Sequence, residues 1–244
     1  MNDFQQFEAE NRSHIEAMGH DAELHRLSRA WWQRATSHKY SYHFRWMGLP
    51  IIQFPQDIVA MQELLWIVKP DLVIETGVAR GGSLVFYASI LELLGGEGRV
   101  VGIDVDIRPH NRAAIEEHPM ARRIDLIQGS SIEPEIVAQV RSLARDRRHI
   151  LVALDSNHTG DHVRRELELY GPLVTPGSYL VVFDTCIEHT PPELLGDRPW
   201  AKGNSPWTAV QSFLRTSDRF VVDTSLADKL QITVCPDGFL KCMK

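Results

Sequence analysis

The sequence predicts an α/β fold built on a mostly parallel sheet, and three observations carry that expectation. From residue 71 onward, short apolar runs of strand length alternate with longer amphipathic segments. This is the pattern of strand–helix–strand units, which lay strands parallel with right-handed crossovers. The runs Leu72-Val73-Ile74 and Leu180-Val181-Val182 are apolar without alternation, as strands covered on both faces are. Four predicted strands end in an acid, Glu75, Asp104, Asp155 and Asp184, at the end of a parallel sheet outside which ligands bind.

The elements follow in order. Residues 1–35 read as helical, with charges throughout. Residues 40–50 are aromatic-rich and broken by Gly48 and Pro50, and predict an irregular segment that packs over the domain or over another subunit. Ile58, Met61, Leu64, Leu65 and Val68 have helical spacing, and Lys69-Pro70-Asp71 ends that helix. Strands are predicted over 71–76, 99–104, 123–128, 149–155 and 178–184, with helices over 82–94, 109–117, 133–144 and 160–170. The stretch 185–205 is rich in Pro and Gly and has no apolar periodicity; loops of that length in compact domains are often functional. A helix over 206–216 and two closing strands, 219–224 and 230–234, complete a seven-stranded sheet.

Composition narrows the function. The chain has 244 residues, 43% of them hydrophobic and 24% charged, ordinary for a globular protein with one large core. A net charge of −6 argues against a protein whose task is to neutralise nucleic-acid phosphates. Three cysteines, Cys186, Cys235 and Cys242, make neither a disulfide framework nor a zinc pair and fit a reducing compartment. The first thirty residues carry no apolar signal core, and no run approaches the roughly 20 apolar residues that span a bilayer. The expectation is a cytoplasmic protein with neither nucleic-acid nor membrane partners.

The glycine turn Glu75-Thr-Gly77-Val-Ala-Arg-Gly81-Gly82-Ser83 is spaced Gly-x-x-x-Gly-Gly, unlike the dinucleotide fingerprint. Its amides and the helix behind it suit a carboxylate, and Glu75 suits an ammonium, directly or through water. Asp104, ending the next strand, can accept both hydroxyls of a ribose. Gln128-Gly-Ser130-Ser131 would lie along an adenine. S-adenosylmethionine (SAM) has all three parts and no phosphate, which agrees with a turn that lacks lysine. Each acid can also be read as a turn former or helix cap.

Asp155 and Asp184, at neighbouring strand ends, would repel unless a hard cation such as Mg²⁺ lay between them. The alternative is that Asp155 only hydrogen-bonds a ligand and Asp184 only caps a turn. His158 follows Asp155 by three residues and can serve as a general base; a metal ligand or a structural residue are the other readings. His162 reads as a helix-surface residue.

The chain resembles the cephalosporin hydroxylase family, from about residue 46 to 214. The resemblance rests on Trp46-Met-Gly-Leu-Pro-Ile-Ile-Gln-Phe-Pro55, Glu75-Thr-Gly-Val-Ala-Arg-Gly-Gly-Ser83, Gly102-Ile-Asp-Val-Asp-Ile-Arg108 and Gly203-Asn-Ser-Pro-Trp-Thr-Ala-Val210. It implies a Rossmann-like class I methyltransferase fold. Its members include antibiotic-tailoring enzymes and rhamnosyl or macrolide-sugar O-methyltransferases. It implies cofactor positions at Glu75, Gly77, Gly81 and Asp104, and the residue reading adds Ser83, Ser130 and Asp155 to that set. The implied metal set begins with Asp155 and ends with Asp184. Metal-binding relatives carry Glu just before that last Asp, where this chain has Phe183; catechol-type relatives carry Asn just after it, where this chain has Thr185. Thr185, Glu188 or water would then complete the shell, or the metal site is lost. His158 and Asp155 take the catalytic positions.

The expectation is therefore a helical and aromatic extension over 1–55 and a SAM-binding methyltransferase domain over 56–244. It would act, with Mg²⁺, on a hydroxylated small molecule, in a homo-oligomer. A SAM-binding accessory subunit without methyl transfer is the alternative, and an NAD-dependent oxidoreductase a third, weaker one.

Overall fold

The computed structural model describes residues 2–244. Two helices, α1 (Asp3–Gly19) and α2 (Ala22–Thr36), open the chain. They are separated where Asp21 caps α2 by accepting from the Leu24 N–H at 2.9 Å, and neither contains a buried residue. The aromatic segment is more ordered than predicted. After a 3₁₀ turn, Tyr40–His43, it forms a hairpin of β1 (Arg45–Trp46) and β2 (Leu49–Pro50). Met47 and Gly48, both at positive φ, make its turn. The Trp46 indole donates to Ser89 Oγ at 2.9 Å, and Ile51 and Phe54 enter the core.

The helix α3 (Pro55–Val68) leads into alternating elements: β3 (Leu72–Thr76), α4 (Gly82–Leu94), β4 (Arg99–Asp104), α5 (Pro109–Glu116), β5 (Ile124–Gln128), α6 (Pro134–Ala144), β6 (Ile150–Leu154), α7 (Gly160–Tyr170) and β7 (Tyr179–Val182). The predicted loop holds a 3₁₀ turn, Thr185–His189, and a short helix α8 (Pro192–Leu195). Then come α9 (Pro206–Leu214), β8 (Phe220–Val222), α10 (Thr224–Leu230) and β9 (Phe239–Cys242).

The main sheet has seven strands in the order β5-β4-β3-β6-β7-β9-β8. All neighbours are parallel except β7–β9 and β8–β9. Alternate residues of each strand feed two cores. Val73 packs with α3 and α4 on one face, and Leu72 and Ile74 with α6 and α7 on the other. The apolar runs without alternation are thus strands sandwiched between helix layers.

One predicted strand is misplaced. Residues 230–234 alternate like a strand, but α10 runs through Leu230 and Gln231 turns at φ 59. The Val234 N–H then donates to Asp57 Oδ2 at 3.0 Å, and the Thr233 hydroxyl donates to Asp57 Oδ1. An amide held by a carboxylate cannot join a ladder, and Phe239–Cys242 closes the sheet instead. Among the described residues, no helix is long and apolar enough to cross a membrane.

Candidate active site

Parallel register brings the ends of β3, β4 and β6 level, pairing Thr76 with Ile103 and with Leu154. The chain leaves β3 at Gly77, φ 92, where a Cβ would lie 2.0 Å from the Asp155 carbonyl oxygen. Only glycine lets the turn after β3 touch the loop after β6. Gly81 caps α4. Asp104 ties the turn to β4: its Oδ2 accepts from the amides of Val78 at 2.8 Å and Ala79 at 3.2 Å, and its Oδ1 from Asp106 at 3.1 Å.

Glu75 lies deeper than a direct ligand would. It is fully buried and accepts from Ser83 Oγ at 2.6 Å and the Tyr87 hydroxyl at 3.1 Å. Burial raises it to about 8 in spite of those two donors, and the charge of Asp104 adds to the rise. Ser83, together with Gly77 and Asp155, lines the narrow cleft along the turn, and Glu75 stands behind it.

Asp155, His158 and Asp184 converge. One ligand atom from each lies within 4.8 Å of the others, and His158 Nε2 is 3.2 Å from Asp184 Oδ2. The loops after β6 and β7 place them, and Asp184 is held in a left-handed conformation, φ 57. Trp200 braces the imidazole edge-on at 4.8 Å. Burial pushes Asp155 well above the usual carboxylate range, and the charges of Asp184, Glu75, Glu166 and Asp57 add to it. A cation would relieve that repulsion. Two carboxylates fit a hard divalent ion that takes its other ligands from water or substrate, with the imidazole beside it.

The structure does not bring Thr185 to this group. Its hydroxyl donates to the Pro236 carbonyl at 2.6 Å, and the residue is fully buried. Phe183 is packed in the core. The Glu188 carboxylate is taken by Ser205 Oγ at 2.6 Å and the Gly203 amide at 3.0 Å. His158 is thus the third group beside the two carboxylates, its Nε2 against Asp184 Oδ2.

Two cavities meet here. One, of about 620 Å³, runs past Gly77, Asp104, Ser130 and His162. The other, of about 380 Å³, is walled by Trp32, Phe54, Ile187 and Leu194. Tyr42, Ile52, Asp155, Asp184, Arg198 and Trp200 line both. Tyr42 belongs to the aromatic segment 40–50 and Trp200 to the Pro- and Gly-rich stretch 185–205, and nothing in their spacing singled them out. His162 is a correction. It is largely buried against Glu166 and faces the larger cavity instead of lying on the helix surface. The four-residue spacing of His162 and Glu166, which puts them on one helix face, was the available signal.

The chain matches, over residues 38–243, the family described as rhamnosyl O-methyltransferase/CmcI. It is 30% identical over 201 residues to the rhamnosyl O-methyltransferase of Mycobacterium leprae, covering 80% of this chain and 81% of that one. With the Mycobacterium bovis enzyme of the same name it shares 32% over 200 residues, 80% of this chain and 76% of the relative. Among solved structures it is similar in fold to CmcI without ligand (TM-score 0.58, 18% identity, 83% of this chain and 77% of the other). It is likewise similar to CmcI with magnesium and SAM (TM-score 0.56, 19% identity, 83% and 78%).

Proposed function

This chain belongs to the rhamnosyl O-methyltransferase/CmcI family, and on that premise we propose that it transfers the methyl group of SAM to a hydroxyl of a small molecule, a sugar or a natural-product intermediate. The observation that carries the proposal is the meeting of Asp155, His158 and Asp184 at the seam of two cavities.

In this reading the larger cavity takes the cofactor. The turn Gly77 to Ser83 receives the methionine end, with Ser83 between its ammonium and Glu75. Asp104 receives the ribose, and Ser130 lies along the base. The smaller cavity takes the acceptor, whose apolar parts meet Trp32, Tyr42, Phe54 and Trp200. Asp155 and Asp184 would hold Mg²⁺, which CmcI has been solved with. A divalent ion there supplies Lewis acidity that makes a hydroxyl easier to ionise. His158, fixed by Trp200, accepts the proton the hydroxyl loses as it is methylated. Positioning of the oxygen in line contributes the larger share.

We read residues 56–244 as the SAM-binding domain and 1–55 as its extension. Free thiols at Cys186, Cys235 and Cys242 support work in the reducing cytoplasm. The exposed Phe4 and Phe7 of α1 support a homo-oligomer.

The test is methyl transfer from isotope-labelled SAM to a panel of rhamnosides and other polyhydroxylated acceptors, with Mg²⁺, read by mass spectrometry. Asp155→Ala and His158→Ala should each lower turnover by about 10²–10⁴. His158→Ala should keep its affinity for the product S-adenosylhomocysteine. Full turnover by both folded variants would refute these roles.

A further inference from the structure

The larger cavity is backed by a polar cluster that the proposed chemistry does not use. Glu166 on α7 is fully buried. Its Oε1 accepts from Ser131 Oγ at 2.6 Å and from Ser156 Oγ at 2.7 Å. Its Oε2 has no partner among the described residues. His162, one turn earlier, places Nε2 3.1 Å from Ser131 Oγ, 3.3 Å from Ser156 Oγ and 3.5 Å from Glu166 Oε1. The loops after β5 and β6 supply the two serines, and the Tyr170 hydroxyl anchors the first loop by donating to the Ser131 carbonyl at 2.7 Å.

The arrangement dictates a tautomer. Each serine hydroxyl has one hydrogen, and both give it to Glu166. Their contact with His162 therefore requires the imidazole to donate through Nε2–H. In the neutral ring Nδ1 is then a bare acceptor. The ring lines the cavity beside Ser130, Ser131, Ser156 and Asn157, and Nδ1 has no hydrogen-bond partner among the described residues. This is the region assigned to the base, beyond Asp104.

We propose that His162, held by Glu166, reads the exocyclic amino group of the cofactor's adenine, accepting its hydrogen bond at Nδ1 and rejecting a 6-oxo purine. The inference rests on the larger cavity being the SAM site. An adenine amino group only donates, whereas a 6-oxo purine turns an acceptor toward the same nitrogen, leaving both atoms unsatisfied. Glu166 touches no ligand in this scheme; it is a positioning residue that sets the tautomer through the serines and Nε2, as an outer-shell carboxylate does for a metal-bound histidine.

The experiment is calorimetry with S-adenosylhomocysteine and S-inosylhomocysteine on the full chain, His162→Phe and Glu166→Gln. The wild type should bind the adenine compound about tenfold more tightly or better, as one well-placed hydrogen bond allows. His162→Phe, which keeps the ring but has no acceptor, should bring that ratio below about threefold. Glu166→Gln should lower it in the same direction, and if that variant does not fold His162→Phe decides alone. Purine selectivity is a readout that loss of packing alone would not move. Equal binding of the two compounds by the wild type, or an unchanged ratio in folded His162→Phe, overturns this inference and leaves the SAM site standing. Failure of the wild type to bind S-adenosylhomocysteine at all removes the SAM reading and this one with it.

Discussion

The strands β5, β4, β3 and β6 and the edge made by β9, β8 and the covering segments form the two sides of the site by different means. On the first side, the residues that meet are neighbours by topology. Asp104 ends a strand and Gly77, Ser130 and Asp155 each come just after one, and parallel pairing sets them side by side. On the second side, side chains fasten segments far apart in the chain. Asp57 on α3 holds Thr233 and Val234. Trp207 donates to Asp237 at 2.9 Å, and Glu188 holds Ser205 and Gly203. The side proposed for the cofactor is thus written in repeated local units, and the side proposed for the acceptor in individual long-range bonds. A change on one side should leave the other intact.

The sharpest test strikes the cofactor side. Gly77→Ala puts a Cβ against a backbone oxygen that cannot give way, at a φ that side chains avoid. It should cost more than about 3 kcal/mol of stability and remove S-adenosylhomocysteine binding, as denaturant melts and calorimetry would report. On the acceptor side, Asp57→Ala leaves the Thr233 hydroxyl and the Val234 amide without their acceptor. That should cost about 2–3 kcal/mol while S-adenosylhomocysteine affinity stays within about twofold, a small change beside one lost hydrogen bond. A parallel loss of cofactor affinity would show that the two sides are one unit.

The mildest test is a pH profile. Glu75, raised to about 8 in the fold, ionises near 4.5 when unfolded, so the folded chain binds a proton that the unfolded chain releases. Its stabilising contribution is complete below about 4.5 and is lost as pH rises toward 8, at a slope of up to about 1.4 kcal/mol per pH unit. In metal-free protein, Glu75→Gln should flatten that fall by the same amount. An unchanged slope in thermal melts from pH 5 to 8 would mean that Glu75 is ionised in the fold.

The same division explains what could be seen in advance. The seven-stranded, mostly parallel sheet and the strand-end acids were legible because strand period, glycine spacing and chain order are local properties. The closing strand was not, because the alternation at 230–234 competes with a carboxylate on α3 that no nearby residue announces. His162 looked like a surface residue because Ser131 and Ser156, which bury it with Glu166, come from other loops. Thr185 looked free because Pro236, which takes its hydroxyl, lies in the C-terminal segment.

Asp184 carries a consequence for how such a chain could be altered. A residue with a side chain at φ 57 is under mild strain, and glycine would relieve it. Selection for heat tolerance alone should favour glycine at this position and, in removing the carboxylate from beside His158 and Asp155, should produce a sturdier protein with no catalytic future. The carboxylate of Asp184 thus gives up backbone ease for its place beside His158 and Asp155.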